Sequence, residues 1–284
     1  MRNLQRYVRP ETPEEAVELK RELGDKAVYL AGGSDLLVHR PSSVEVAIDI
    51  RHCGLGYVLE SDDAFVIGGA ALLRDAESAV VQLASGMLGA AFRETAPWLI
   101  RNAATVAGNI ANASPAADSV PALLAADAEL LLLSDTEELV PLGEILVGSH
   151  QTTLGNRLIK EIRIPRAVAQ RRGVFHKVAR SHSDIAQINL AVSFALDGGV
   201  LRDVRIALGA VGPTAVRARS AESAAEGVAA AELSVEVIAH LVQNDISPIT
   251  DWRATADYRR HMCEVMTRRS LGSLLADIGH GEGQ

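Results

Sequence analysis

Two segments of this chain combine residue types suited to holding a ligand. The first is Leu30-Ala31-Gly32-Gly33-Ser34-Asp35-Leu36-Leu37. An apolar run enters two glycines, a hydroxyl and a carboxylate. Glycine lets the backbone turn sharply and lets a ligand come close to the N–H groups. Successive N–H groups in such a turn form a nest suited to phosphate. Ser34 adds a hydroxyl donor. Asp35 repels phosphate, so its expected role is to accept loop N–H bonds or a ribose hydroxyl. The plainer alternative is a strand–turn–helix connection. The spacing is not the dinucleotide fingerprint, because Gly32 and Gly33 are adjacent and no third glycine follows in place. No Gly-Lys-Ser/Thr occurs, which excludes a P-loop. The second segment runs from Ile100 to Asp118 and includes Thr105-Val106-Ala107-Gly108-Asn109 and Ser114. Small residues, amides and hydroxyls crowd together with almost nothing bulky. It reads as neither core strand nor amphipathic helix. Its side chains supply donors and acceptors, and Gly and Ala let backbone reach a ligand. The alternative is an irregular connection capped at both ends.

No other constellation competes. The histidines, among them His39, His150, His176 and His182, lack metal-ligand spacing, so no metal is expected. Cys53 and Cys263 read as lone small hydrophobes. No nucleophile–base arrangement is visible, and no catalytic residue is assigned.

The elements that position these segments follow from caps and periodicity. Thr12, Pro13 and Glu15 form a capping box that opens a helix, with Ala16, Leu19 and Leu23 on one face and Gly24 at its end. Lys26–Ala31 and Val44–Ile50 read as strands. Tyr57–Leu59 and Phe65–Ile67 flank turn chemistry at Glu60-Ser61-Asp62-Asp63. Residues 74–100 read as mostly helical, with Pro97 a start or kink. Ala122–Ala126 looks helical, Glu129–Leu133 and Leu158–Ile164 strand-like. Arg166–Gly173 is polar, basic and free of bulky core residues, and reads as a linker. Beyond it, Gly173–Ala179, Gln187–Leu196 and Val200–Leu208 read as strands, the last two joined at Asp197-Gly198-Gly199. Ala221–Ala231, Val235–Gln243 and Ala254–Leu275 read as helices.

Composition sets the frame. The chain has 284 residues, which allows one large domain or two modest ones. It is 48% hydrophobic and 23% charged, as a soluble intracellular α/β protein would be. Only 4% is aromatic, so Ala, Val, Leu and Ile must build the core. The net charge of −8 and the lack of a Lys/Arg block argue against nucleic acid. No apolar stretch reaches the ~20 residues of a membrane span, and the N-terminus does not read as a signal peptide. Two cysteines are too few for a disulfide framework, an iron–sulfur cluster or a Cys₄ zinc site, and suit a reducing, cytoplasmic setting.

Here the sequence resembles a known family, the FAD-binding (medium) subunits of molybdenum hydroxylases such as xanthine dehydrogenase and carbon monoxide dehydrogenase. Ala31-Gly32-Gly33-Ser34-Asp35 resembles the family's Ala-Gly-Gly-x-Ser/Asp. Residues 100–118 resemble Ile-Arg-Asn-x-x-Thr-Ile/Val-Gly-Gly-Asn-x-x-x-x-Ser-Pro-x-x-Asp, with Ala107 in place of the first of two glycines. A methyl there would narrow backbone approach to phosphate. The resemblance covers the whole chain: Arg6–Pro10, Leu158–Pro165, Phe175–Arg180, Ser183–Ala186, Tyr258–Met262 and Arg268–Leu271 also match. The spacing between the matches at 175–180 and 183–186 is one residue short, which leaves both Lys177 and His176 open for the family's Lys position.

The resemblance implies an α+β fold. A PCMH-type FAD-binding domain of two subdomains would span 1–168, divided into about 1–55 and 56–168. A smaller domain over 172–278 would follow, with a three-stranded antiparallel sheet and helices. Ala31–Asp35 and Thr105–Asn109 would hold the FAD pyrophosphate between the subdomains, with Leu30 and Leu36 also at the cofactor. Ser114 and Asp118 would sit at the cofactor, Asp118 against a ribityl or sugar hydroxyl. Ile159 would contact it through apolar surface or main chain, and Lys177 would lie near the flavin. Partners would be a large molybdopterin subunit and a small subunit carrying 2Fe-2S clusters, usually in a heterotrimer. Electrons would pass through FAD to NAD⁺, a quinone or another acceptor. Two other readings remain: a stand-alone FAD reductase of the same superfold, similar to the cell-wall precursor reductase, and a non-catalytic nucleotide-binding module.

Overall fold

The computed structural model describes residues 3–39, 41–181 and 183–281; His182 lies outside them. The chain opens with strand β1 (Arg6–Val8) and helix α1 (Pro13–Leu23). The Thr12 hydroxyl accepts from the Glu15 N–H at 3.2 Å, so the expected cap forms. Strand β2 (Ala27–Leu30), the short helix α2 (Leu36–His39) and strand β3 (Val46–Asp49) follow. The three strands make a parallel sheet in the order β1-β3-β2. Ala16 and Val17 of α1 cover it, packed with Val46, Ile48, Leu133 and Leu158.

A five-stranded antiparallel sheet comes next. Strands β4 (Val58–Glu60) and β5 (Ala64–Gly68) form the expected hairpin. The chain then leaves the sheet through α3 (Leu73–Ala79), α4 (Met87–Glu94), α5 (Trp98–Arg101), α6 (Val106–Asn112) and α7 (Ser119–Ala125). It returns as β6 (Glu129–Leu133) and β7 (Glu137–Pro141). A short helix α8 (Leu142–Ile145) and a small ladder of β8 (Leu146–Gly148) and β9 (Gln151–Thr152) lead to β10 (Leu158–Pro165). The sheet order is β4-β5-β10-β6-β7.

The third sheet holds β11 (Arg172–Val178), β12 (Ile188–Asp197), β13 (Val200–Gly209) and the two-residue β14 (Val216–Arg217). It is antiparallel and in chain order, with β14 added to the three expected strands. Gly198 and Gly199 turn the β12–β13 hairpin at φ +57° and +80°. Helices α9 (Arg219–Ala225), α10 (Val235–Leu241) and α11 (Ala256–Gly281) complete this part. Cys263, Met266, Leu271 and Leu274 of α11 pack in one core with Ile188, Leu190, Val192 and Phe194 of β12. No helix among the described residues is long and apolar enough to cross a membrane.

Two sequence expectations are corrected. The segment after Thr105 contains α6, which buries Val106, Ala107 and Ile110. Small side chains hid its apolar face, because a helix of Ala, Gly and Asn packs closely without a bulky stripe. Arg166–Gly173 is not free of core residues, since Val168 is fully buried in the same apolar core as α4 and α7. That core also takes in Phe175, Ala191, Ala207 and Ala215 from the third sheet.

A charged cluster reinforces the same junction. Asp127, between α7 and β6, accepts from Arg205 at 2.7 Å and Arg217 at 2.9 Å, and Arg171 lies at 2.8 Å. Burial raises the Asp127 carboxyl, but the hydrogen bond from Arg205 and the charges of Arg171 and Arg205 outweigh it and hold it below the ordinary value. The unfolded carboxyl titrates near ~3.9. The stabilisation is therefore complete above that pH and lost as pH falls through the folded value. Asp127→Asn is expected to cost about 1–3 kcal/mol at neutral pH. Thermal unfolding across pH checks this: the gap from the parent should close in acid, and a gap independent of pH would refute it.

Candidate functional site

Loop one, Ala31–Asp35, leaves the end of β2 and enters α2. Gly33 has φ +67°, a left-handed backbone that strains any L side chain. Gly32 is where this loop meets the second. A Cβ built on it would lie 1.9 Å from the Ala103 carbonyl oxygen. The N–H groups of Gly32, Gly33, Ser34 and Asp35 have no acceptor among the described residues. Four unpaired donors in one turn form a nest suited to an anion such as phosphate. Leu30 is buried, and Ala31, Ser34 and Leu36 are half-buried. Asp35 does not accept loop N–H bonds. Its carboxylate faces His39 at 3.3 Å in an exposed pair.

Loop two is organised by a cap. Thr105 is buried, and its hydroxyl accepts from the Gly108 N–H at 3.0 Å. It therefore fixes the first turn of α6 before it can serve a ligand. The Ala107 methyl lies in the apolar core, so the departure from the glycine pair does not narrow the exposed side at Gly108. Asn109 accepts from the Ser119 hydroxyl at 2.6 Å, which ties α6 to the start of α7. Ser114 is half-buried, and its hydroxyl faces the Ala116 N–H at 3.4 Å. Arg101, within the motif, is structural: it donates to the carbonyls of Arg93 and Ala96, both at 2.7 Å.

A buried charge pair lies at the start of α7. Asp118 is 6% exposed. Its Oδ2 accepts from Lys177 Nζ at 2.8 Å, and its Oδ1 accepts from Asn189 Nδ2 at 2.8 Å. Lys177 Nζ also donates to the Glu94 carbonyl at 3.0 Å. Burial pushes the Asp118 carboxyl up, opposed by the Lys177 charge and by the hydrogen bonds from Lys177 and Asn189. Successive strand residues point to opposite faces. Lys177 turns inward to Asp118, while His176 is exposed. A cleft of about 240 Å³ lined by Glu94, Lys177, Ala179 and Ser181 lies beside Lys177. Ile159 is a core residue of β10, 5% exposed, and Gly69 approaches its carbonyl closely.

The structure thus joins the two loops backbone to backbone and unites Asp118 with Lys177. Sequence reading missed Asn189 and Ser119. Asn189 carried a signal, an amide inside the apolar run Ile188–Phe194. No group of three or more His, Cys, Asp or Glu suited to a metal occurs among the described residues. Both cysteines are buried and free, and burial pushes their thiols up, Cys53 to about 11 and Cys263 to about 12.

Comparisons with known proteins show the family. Residues 2–167 match the family described as the FAD binding domain in molybdopterin dehydrogenase. Residues 173–274 match the CO dehydrogenase flavoprotein C-terminal domain. The chain is 30% identical over 283 residues to a putative xanthine dehydrogenase FAD-binding subunit of Escherichia coli (strain K12), covering 96% of this chain and 97% of that one. It is 32% identical over 278 residues to the carbon monoxide dehydrogenase medium chain of Hydrogenophaga pseudoflava, covering 95% and 96%. A solved carbon monoxide dehydrogenase from that organism superposes with a TM-score of 0.90 at 32% identity, covering 96% of this chain and 98% of the other. The chain belongs to the FAD-binding family of molybdopterin dehydrogenases.

Proposed function

We propose that this chain is the FAD-carrying electron-transfer subunit of a cytoplasmic multi-subunit molybdopterin hydroxylase, and that its two loops and the Lys177–Asp118 pair form the cofactor site. The unpaired N–H groups of residues 32–35 carry the reading. They supply anion donors in a chain of net charge −8 without adding a cation. FAD, when bound, supplies the redox chemistry. The protein's part is to hold and bias it. Ala31–Asp35 and Thr105–Asn109 would hold the pyrophosphate, with Leu30, Leu36 and Ser114 also at the cofactor and Ile159 contacting it through apolar surface or main chain. Lys177 stands near the flavin, where a cation tunes its electronics. Asp118 acts as the counter-ion of Lys177, and the lone pairs left on its carboxylate can still accept from a ribityl or sugar hydroxyl.

Two buried cysteines cannot ligate an iron–sulfur cluster, which takes four protein ligands. The 2Fe-2S clusters therefore sit on a small partner subunit and the molybdopterin on a large one. Electrons leave through this chain to NAD⁺, a quinone or another acceptor. The stand-alone reductase reading needs an acid/base group of its own, and no observation favours it. Purification with the neighbouring subunits tests the proposal. Yellow flavin absorbance and one FAD per chain are expected. A colourless protein that takes up no added FAD would refute it.

A further inference from the structure

The Lys177–Asp118 pair is backed by a row of residues crossing the third sheet. Asn189 on β12 stands directly opposite Lys177 on β11, and Gly209 on β13 stands directly opposite Asn189. Cross-strand partners in register share a face. Asn189 is fully buried. Its Nδ2 donates to Asp118 Oδ1 at 2.8 Å and to the Ala117 carbonyl at 3.3 Å. Its Oδ1 has no hydrogen-bond partner. A buried acceptor left unpaired is a cost that an apolar side chain of the same size would avoid. Core stability alone therefore does not account for an amide at 189. Room for that amide comes from Gly209, where a Cβ would lie 2.1 Å from Asn189 Oδ1.

The bond to Asp118 explains the arrangement. With Oδ1 held by Asn189, Oδ2 has one direction left, and it meets Lys177 Nζ. The other charged side chain bearing on Asp118 is Glu94 of α4. Accepting the reading above that Lys177 lies near the flavin, we infer that Asn189 is a positioning residue for FAD. By fixing the Asp118 carboxylate, it sets where the Lys177 ammonium stands and how far its charge is offset, and so sets the reduction potential of the bound flavin.

The test measures the FAD midpoint potential in the loaded complex, with FAD content and unfolding temperature alongside. Lys177→Gln should lower the potential, because it removes the cation that favours reduced flavin. Asn189→Leu should raise it, because the buried Asp118 loses a donor that favours its charged form, shifts toward the neutral acid and so offsets Lys177 less. Gly209→Ala should raise it as well by displacing the Asn189 amide, and it keeps the test available if the Leu variant does not fold. Ser193→Ala is the structural control. Ser193 lies on the same strand, fully buried, and donates to the Ala125 carbonyl at 2.7 Å. It should lower the unfolding temperature and leave the potential unmoved. If Lys177→Gln leaves the potential unchanged, the placement of Lys177 beside the flavin is wrong and the role of Asn189 falls with it. If Lys177→Gln moves it and neither Asn189→Leu nor Gly209→Ala does, the site reading stands and the role of Asn189 alone is overturned.

Discussion

Gly32→Ala is expected to yield a protein without FAD. The added Cβ would stand 1.9 Å from the Ala103 oxygen, 2.7 Å from its carbonyl carbon and 2.9 Å from the Ala104 Cα. All three are backbone atoms, so no rotamer change relieves the overlap. Nor is the second loop free to retreat. The Ala104 N–H donates to the Ile100 carbonyl at 2.7 Å, its carbonyl accepts from the Leu73 N–H at 2.8 Å, and the Val106 N–H donates to the Ala71 carbonyl at 3.4 Å. The loops must part, and the donors of residues 32–35 move away from Gly108. Overpacking of this kind costs about 1–3 kcal/mol. Gly56→Ala is the control, since nothing lies within 4 Å of a Cβ there. It should keep full FAD content and stability within about 0.5 kcal/mol. The flavin-to-protein absorbance ratio after purification reads the result. A Gly32→Ala protein with the parental ratio would show that the loops are turns and nothing more.

The second large effect is expected at Asp118. Asp118→Ala leaves the Lys177 ammonium buried with, among the described residues, only the Glu94 carbonyl at 3.0 Å. Removing one partner of a buried pair costs about 3–5 kcal/mol. Replacing both partners with apolar residues is often neutral. Thermal unfolding should therefore show a large drop for Asp118→Ala and recovery of most of it in the Asp118→Leu/Lys177→Met double variant. That double variant should still differ from the parent in flavin potential, because its cation is gone. A double variant as unstable as the single one would mean that Asp118 acts through something other than Lys177.

Much of this site was legible in the sequence, for local reasons. Gly32 and Gly33 announce a close approach and a left-handed turn because only glycine allows them. The β12–β13 hairpin was legible because Asp197-Gly198-Gly199 carries its turn chemistry between two apolar runs. Helix α6 was not, because its buried face is made of Val106, Ala107 and Ile110 among residues too small to mark a period. The strand β7 was missed because Glu137–Pro141 is largely exposed and shows no apolar alternation. The row Lys177–Asn189–Gly209 was out of reach for another reason. It exists only through strand register, a relation among residues 12 and 20 positions apart. The engagement of both Asp118 oxygens depends on that same register.

The apolar core that runs from α4 and α7 into Phe175, Ala191 and Ala207 bears on how separable the two parts of this chain are. Two family descriptions meet between residues 167 and 173, which suggests a boundary where the chain could be cut. Physically the cut would run through a shared interior. A fragment ending there would bare the surface of α7 to water and strip Asp118 and Asp127 of their cations. The smaller part is thus no appendage that a flavin module happens to carry. It supplies one wall of that module's interior, through Phe175, Ala191 and Ala207.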